Sequence, residues 1–285
     1  MDEPLVRKFL MRDGYPVHAV TWLARGGRRG RILVLHGVQS HAGWYDGLGR
    51  ILGDRGYDAT FADRRGSGSN RLDRGHTPSW RRLVSDVGDT LGQLREESPS
   101  VPTALAGISW GGKLAMLAAA EFPGSVDALA LICPGLHARV RPPLRQRLGI
   151  AWSLLTGRPK RPFPIPLADP ALFTDNPEAR GFIAGDPLTL RTATAGLLAA
   201  SVFIDRQVAR SPGRVSQPSL LMLAGRDRIV DNAQTRRLFD RLAAPDRRTL
   251  VYPSGHHTLE FDPDAGRYAA DLADWLDQVL GHRQP

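Results

Sequence analysis

Gly107-Ile108-Ser109-Trp110-Gly111-Gly112 stands between a short apolar run, Thr103–Ala106, and a helical stretch, Lys113–Phe122. The run predicts a strand and the stretch a helix, so Ser109 sits where one turns into the other. That junction is the context a G-x-S-x-G turn requires. A turn so sharp strains its central residue and needs small residues two before and two after it, here Gly107 and Gly111. It lifts the serine hydroxyl above the strand ends and aims it at a helix start, where unpaired N–H groups and the positive dipole end gather. A glycine-rich turn with an incidental serine is the plainer alternative; the placement at a strand–helix junction favours a nucleophile.

The flanking pattern repeats. Ile32–Leu35 is a continuous apolar run of the kind buried on both sheet faces, followed by a helical stripe through Trp44, Leu48, Ile51 and Leu52 that Gly56 stops. Asp58–Ala62 predicts a strand, and Trp80, Leu83, Val84, Val87, Leu91 and Leu94 mark a long helix. Ala128–Cys133, Ser219–Ala224 and Thr249–Tyr252 predict further strands, with helices over Asn232–Leu242 and around Tyr268, Leu272, Trp275 and Val279. At the start, Asp13-Gly14 between Val6–Met11 and Val17–Leu23 predicts a hairpin. This alternation describes an α/β fold, a mostly parallel sheet with helices on both faces.

From Gly135 to about Arg210 the alternation breaks over a segment too long for a loop. The expected division is a core of residues 1–135 and 211–285 with an inserted cap at 136–210. Two helices are expected in the cap, one through Ile150, Trp152, Leu154 and Leu155 and one over Leu188–Phe203. Trp152, Leu154 and Leu155 are expected to pack inside the cap rather than to anchor a membrane. The apolar residues Trp152, Phe163, Phe173, Phe182, Leu197, Leu198 and Phe203 are expected to line a pocket for a lipophilic group.

The 285 residues suffice for one large domain with a sizeable core. A single cysteine, Cys133, excludes an internal disulfide framework and is expected to be an inert apolar residue. No run approaches the ~18 apolar residues of a membrane span. Met1–Lys8 lacks a secretory core, so a cytoplasmic location is the default expectation. No cluster has metal-ligand spacing, and neither a metal nor a cofactor is expected. Gly66-Ser67-Gly68-Ser69 lacks the lysine and spacing of a P-loop and reads as a tight loop near the pocket.

The net charge of +9 raises the question of an anionic partner. All basic residues except Lys8, Lys113 and Lys160 are arginine, a bias resembling a GC-rich coding sequence more than a selected patch. Much of the surplus is scattered, and no nucleic-acid partner is expected. The exception is Arg139, Arg141, Arg145, Arg147, Arg158, Lys160 and Arg161, a run without an acidic residue that opens the cap and could draw it transiently to an anionic membrane surface.

A serine hydroxyl is a weak nucleophile without a base and a residue that orients the base. Asp227 follows the strand at Ser219–Ala224, and His256-His257 follow the strand at Thr249–Tyr252, both beyond the carboxyl ends where such sheets gather their sites. Asp231 is the other acid, with a helix-capping role as its plainer reading. Only one of the adjacent histidines can easily face Ser109. His36-Gly37-Val38 directly follows Ile32–Leu35; the Val38 and Trp110 amides are the natural oxyanion donors, and His36 reads as structural.

With these stretches in place, the chain resembles the α/β-hydrolase superfamily, in its branch of monoacylglycerol lipases, lysophospholipases and serine-aminopeptidase-like (S33-type) hydrolases. The resemblance is carried by His36-Gly-Val-Gln-Ser-His41, Gly56-Tyr57-Asp58, Asp63-Arg-Arg-Gly-Ser-Gly-Ser69, Gly107–Gly112, Gly225-Arg-Asp227-Arg-Ile-Val-Asp231 and His257-Thr258-Leu259. It covers the sheet domain but not the cap. It implies the α/β-hydrolase fold and a Ser109–Asp227–His257 triad, the leucine two residues after His257 favouring it over His256. It implies hydrolysis of a small carboxylic ester with a lipophilic acyl group, or alternatively aminopeptidase or thioesterase chemistry. A noncatalytic ligand-binding relative is the alternative of another class. Ser40 stands where the branch commonly has glutamate, and the bulkier Trp110 where it usually has methionine or a similar apolar residue; both departures are expected to bear on substrate fit more than on catalysis.

Overall fold

The computed structural model describes residues 3–281. The leader reading rests partly on Met1 and Asp2, which lie outside the described residues. In chain order the main elements are β1 (Leu5–Leu10), β2 (Pro16–Trp22), β3 (Gly30–Leu35), α1 (Asp46–Asp54), β4 (Tyr57–Ala62), α2 (Trp80–Glu97), β5 (Thr103–Ile108), α3 (Trp110–Glu121) and β6 (Ala128–Ile132). They continue with α4 (Leu144–Leu155), β7 (Pro162–Pro164), α5 (Pro177–Gly185), β8 (Thr192–Thr194), α6 (Ala195–Arg210), β9 (Ser219–Ala224), α7 (Asn232–Phe239), β10 (Arg247–Tyr252) and α8 (Ala265–Leu280).

Eight strands form one sheet in the order β1-β2-β4-β3-β5-β6-β9-β10. The β1–β2 hairpin turns at Gly14, whose φ of 78° suits glycine, and joins β4 antiparallel; all later pairings are parallel. Strand periodicity distributes the core. Ile32 and Val34 face the layer of α1 and α8, while Leu33 and Leu35 face that of α2 and α3. Leu220 and Met222 against Leu221 and Leu223 repeat the division. The apolar runs are buried on both sides because helices cover both sides, the α/β-hydrolase arrangement.

Two sequence expectations need correction, and one helix was not foreseen. α3 begins at Trp110, immediately after Ser109, rather than at Lys113. The helix expected over Leu188–Phe203 begins at Ala195, because Thr192–Thr194 pairs with Pro162–Pro164 and the Thr194 hydroxyl caps the helix by accepting from Leu197 N–H. α5 went unread, although Asn176-Pro177 carries its signal: the Asn176 side chain accepts from the Glu178 and Ala179 amides, and proline is favoured at the first helical position.

The outer face of α4 is the largest departure. Trp152 and Leu155, expected inside, are 63% and 82% exposed, and Leu154 is exposed too. Together with Leu144 and Leu148 they give the helix a stripe of large apolar residues in water. The side that packs is made of small residues instead: Ser153 is fully buried and Gly149 lies against the Phe163 ring. Among the described residues no helix is long and apolar enough to cross a membrane.

Candidate active site

Ser109 has φ 53° and ψ −122°, a conformation that side chains rarely adopt. Its surroundings hold it there. Its N–H donates to Ile132 O at 2.9 Å, and its carbonyl accepts from Gly135 at 2.7 Å and Gly112 at 3.0 Å. A Cβ on Gly107 would stand 2.6 Å from Gly111 O, and one on Gly111 only 2.2 Å from Leu35 O. The glycine spacing is therefore a packing requirement of the turn.

His257, in the loop after β10, reaches Ser109: its Nε2 lies 2.8 Å from Ser109 Oγ. Its Nδ1 lies 2.8 Å from Asp227 Oδ2. A carboxylate can only accept, so Nδ1 carries the proton and leaves Nε2 to accept from the serine hydroxyl. The other oxygen of Asp227 accepts from the Ile229 and Val230 amides, each at 2.8 Å. Burial by itself would raise the Asp227 carboxyl; His257 and those two amides outweigh it and bring it below the ordinary range.

The competing residues go elsewhere. His256 Nδ1 meets Asp262 Oδ1 at 2.8 Å and its Nε2 meets Asp175 Oδ2 at 2.9 Å. Asp231 caps α7, accepting from Gln234 N–H at 3.0 Å. His36 is fully buried, and desolvation, with the nearby Arg64 charge, pushes it down to about 3. It remains neutral, bonded through Nδ1 to Gly37 O at 2.7 Å and accepting from Arg64 N–H at 2.9 Å. The Gly66–Ser69 loop spends its amides on the protein: Gly66 on Tyr15, Ser67 on Arg64 and Ser69 on Asp63.

The Gly37–Val38 loop stands beside the serine, since a Cβ on Gly37 would come 3.3 Å from Ser109 Cβ. The Trp110 N–H opens α3, where helical amides lack an intrahelical acceptor. One pocket is lined by Val38, Ser40, Trp44, Ser109, Phe173 and His257, among others. Of the seven apolar residues expected to line it, Phe173 does so; Trp152 and Phe203 are exposed and Phe163 packs on α4. Ser40 lines the pocket and pairs with the Tyr45 hydroxyl at 3.0 Å. The Trp110 indole turns away, donating to Ser201 Oγ on α6 at 2.9 Å. Among the described residues no group of three or more His, Cys, Asp or Glu is placed to hold a metal ion.

The sequence reading gave no role to Arg64, whose guanidinium bonds the Gly37 and Val38 carbonyls, and passed over Asp175, which meets His256. Arg64 lies inside the quoted Asp63–Ser69 stretch, but that stretch does not show which backbone its side chain meets, and no motif contains Asp175.

The description of the serine aminopeptidases, S33, matches residues 26–264. The chain belongs to this family. It is 25% identical over 258 residues to a monoacylglycerol lipase of Mycolicibacterium smegmatis, with 90% of each chain covered. It is 28% identical over 300 aligned positions to lysophospholipase L2 of Escherichia coli K12, covering 96% of this chain and 86% of that protein. Among solved structures, the monoacylglycerol lipase of Paleococcus ferrophilus superposes with a TM-score of 0.81 at 23% identity, over 92% of this chain and 99% of the other. This S33 member thus carries the α/β-hydrolase fold that its sequence implied.

Proposed function

We propose that this S33-family chain hydrolyses carboxylic esters with a lipophilic acyl group through an acyl-enzyme on Ser109. The observation that carries the reading is the continuous hydrogen-bonded series Asp227–His257–Ser109, with 2.8 Å at both links. Ser109 Oγ attacks the ester carbonyl while His257 takes its proton and Asp227 stabilises the imidazolium. The Val38 and Trp110 amides receive the oxyanion. His257 then protonates the leaving alcohol, and water enters by the same steps in reverse to release the acid.

Residues 136–210 act as a cap in this reading. α6 packs on α3, and Leu167 and Phe173 reach from the segment into the pocket. The similarity to a monoacylglycerol lipase and a lysophospholipase supports a monoacylglycerol- or lysophospholipid-like ester. So does a lining of Val38, Trp44, Ile108, Leu167 and Phe173. The family description favours aminopeptidase chemistry as the second reading. The pocket lining contains no carboxylate to meet a protonated amine, which favours the ester. The apolar stripe and exposed arginines of α4 support a transient contact of the cap with an anionic membrane.

A panel of p-nitrophenyl esters and aminoacyl amides, with a fluorophosphonate probe, tests the reading. Medium or long acyl esters are expected to exceed acetate in kcat/KM, and the probe is expected to label Ser109. Ser109→Ala is expected to lower kcat by on the order of 10⁴–10⁶. Undiminished esterase activity in that variant would overturn the assignment. Falling kcat/KM from acetate upward would overturn the lipophilic pocket, and absence of labelling would leave a noncatalytic relative.

A further inference from the structure

We propose that Arg64 is a positioning residue for the oxyanion site, gripping from behind the peptide whose amide faces the reacting carbonyl. The inference rests on the serine-hydrolase reading above and goes beyond its triad. Arg64 is buried, and its Nη1 and Nη2 donate to Gly37 O at 3.2 Å and Val38 O at 3.0 Å. The Gly37 carbonyl and the Val38 N–H belong to one planar trans peptide, so they point in opposite directions as a rigid unit. Fixing the carbonyl on the inner side therefore aims the amide outward. His36 Nδ1 donates to the same oxygen at 2.7 Å, which gives the peptide two anchors.

The same guanidinium reaches the second donor residue. Its Cζ lies 4.8 Å from the centroid of the Trp110 ring, within cation–π range. Ser201 holds that ring through the indole N–H. Arg64 thus contacts both residues whose amides would receive the oxyanion. Its own backbone is pinned: the N–H donates to His36 Nε2, and the carbonyl accepts from Ser67 N–H and from the Ser67 hydroxyl at 2.7 Å.

A guanidinium this deep is costly to bury. Desolvation lowers it to about 10, with Asp63 the carboxylate that opposes the loss, so it stays charged at neutral pH. The oxygens of Asp63 accept from the Ala42 and Ser69 amides, and the Arg64 Nε has no hydrogen-bond partner among the described residues. Both of the guanidinium's hydrogen-bonded groups are spent on the Gly37–Val38 loop. A simple packing role would be filled by an apolar side chain without that cost.

The test compares Arg64→Met and Arg64→Lys with the wild type on a medium-chain p-nitrophenyl ester and on a trifluoromethyl ketone of the same chain. Ser109 adds to the ketone carbonyl, its proton passes to His257, and the carbonyl oxygen becomes a stable oxyanion. Both variants are expected to lose about 10–100-fold in kcat with KM within about twofold. Lysine fails with methionine because a point charge cannot hold two carbonyls in one plane. Ketone affinity is expected to fall by the same factor as kcat/KM. A loss in KM alone, unchanged ketone affinity, or full rescue by lysine would overturn the proposal. If neither variant folds, Ser67→Ala, which removes the hydroxyl bond to the Arg64 carbonyl, is expected to give a milder parallel loss of a few-fold, and no loss would overturn it. A wild type inert to ester and ketone would defeat the hydrolase reading itself; an active wild type with unaffected variants would defeat only this inference.

Discussion

His256 and Asp175 join the loop that carries His257 to the segment between β6 and β9, through a 2.9 Å contact from His256 Nε2 to Asp175 Oδ2. Arg228, the neighbour of Asp227, also donates to Asp175, at 3.0 Å and 3.3 Å. One carboxylate therefore ties down the residues flanking both the acid and the base of the proposed triad. Two residues away, Phe173 packs edge-on to the His257 ring with 6.0 Å between ring centroids, and its carbonyl accepts the Thr258 N–H at 3.0 Å.

The two histidines should separate by mutation. His257→Ala is expected to remove on the order of 10⁴ or more of kcat. His256→Ala should weaken activity by about tenfold, through loosening of the loop. Asp175→Asn should act in the same sense as His256→Ala, and the double variant should lose less than the product of the two because they share one contact. Steady-state kinetics on the four proteins checks this; a greater loss at His256 than at His257 would reverse the assignment.

The exposed stripe on α4 should bind lipid. Arg141, Arg145, Arg147 and Arg158 are exposed around Leu148, Trp152 and Leu155. Vesicles containing anionic lipid are expected to bind the protein more tightly than neutral ones, with an attraction that salt weakens. Trp152→Glu with Leu155→Glu should lower partitioning about tenfold or more without changing hydrolysis of a soluble short ester. Equal co-sedimentation with both vesicle types, before and after the substitutions, would remove the proposed membrane contact.

Glu260 should make stability depend on pH. Burial pushes its carboxyl up to about 7, and bonds from Tyr268 and the Leu48 and Gly47 amides offset this only in part. The unfolded chain loses this proton near the ordinary glutamate range, whereas the folded protein keeps it until about 7. The protonated group therefore favours the folded state at low pH, and that advantage is lost as pH rises from the ordinary value through the folded one. Glu260→Gln should be more stable than the wild type at pH 8 by on the order of 1 kcal/mol. The difference should shrink at pH 5. Denaturant titrations at the two pH values measure it, and a constant difference would refute this assignment.

The strands and the elbow could be read directly because their signals are local. Apolar runs such as Ile32–Leu35 and Ser219–Ala224 are strands in a sheet covered on both faces, and the Gly107 and Gly111 spacing reflects the clash at 2.6 Å or less that a Cβ at either position would make. The segment 136–210 was read less well. Its helices are amphipathic, and periodicity states that a face is apolar without stating whether protein or solvent lies against it. On α4 that led to the wrong side, since Gly149 and Ser153 pack while Trp152 and Leu155 stay exposed.

The sequence by itself determined the sheet order's raw material, the strained turn at Ser109 and the chain order of Asp227 and His257, because each depends on neighbours within a few residues. The tertiary structure decided which histidine faces the serine, where Trp110 turns its indole, and which residues Arg64 and Asp175 contact. These depend on side chains up to 148 positions apart in the chain, as Ser109 and His257 are, meeting at one end of the sheet. Hydrogen bonds and burial choose among such partners only once the strands have brought them within about 3 Å.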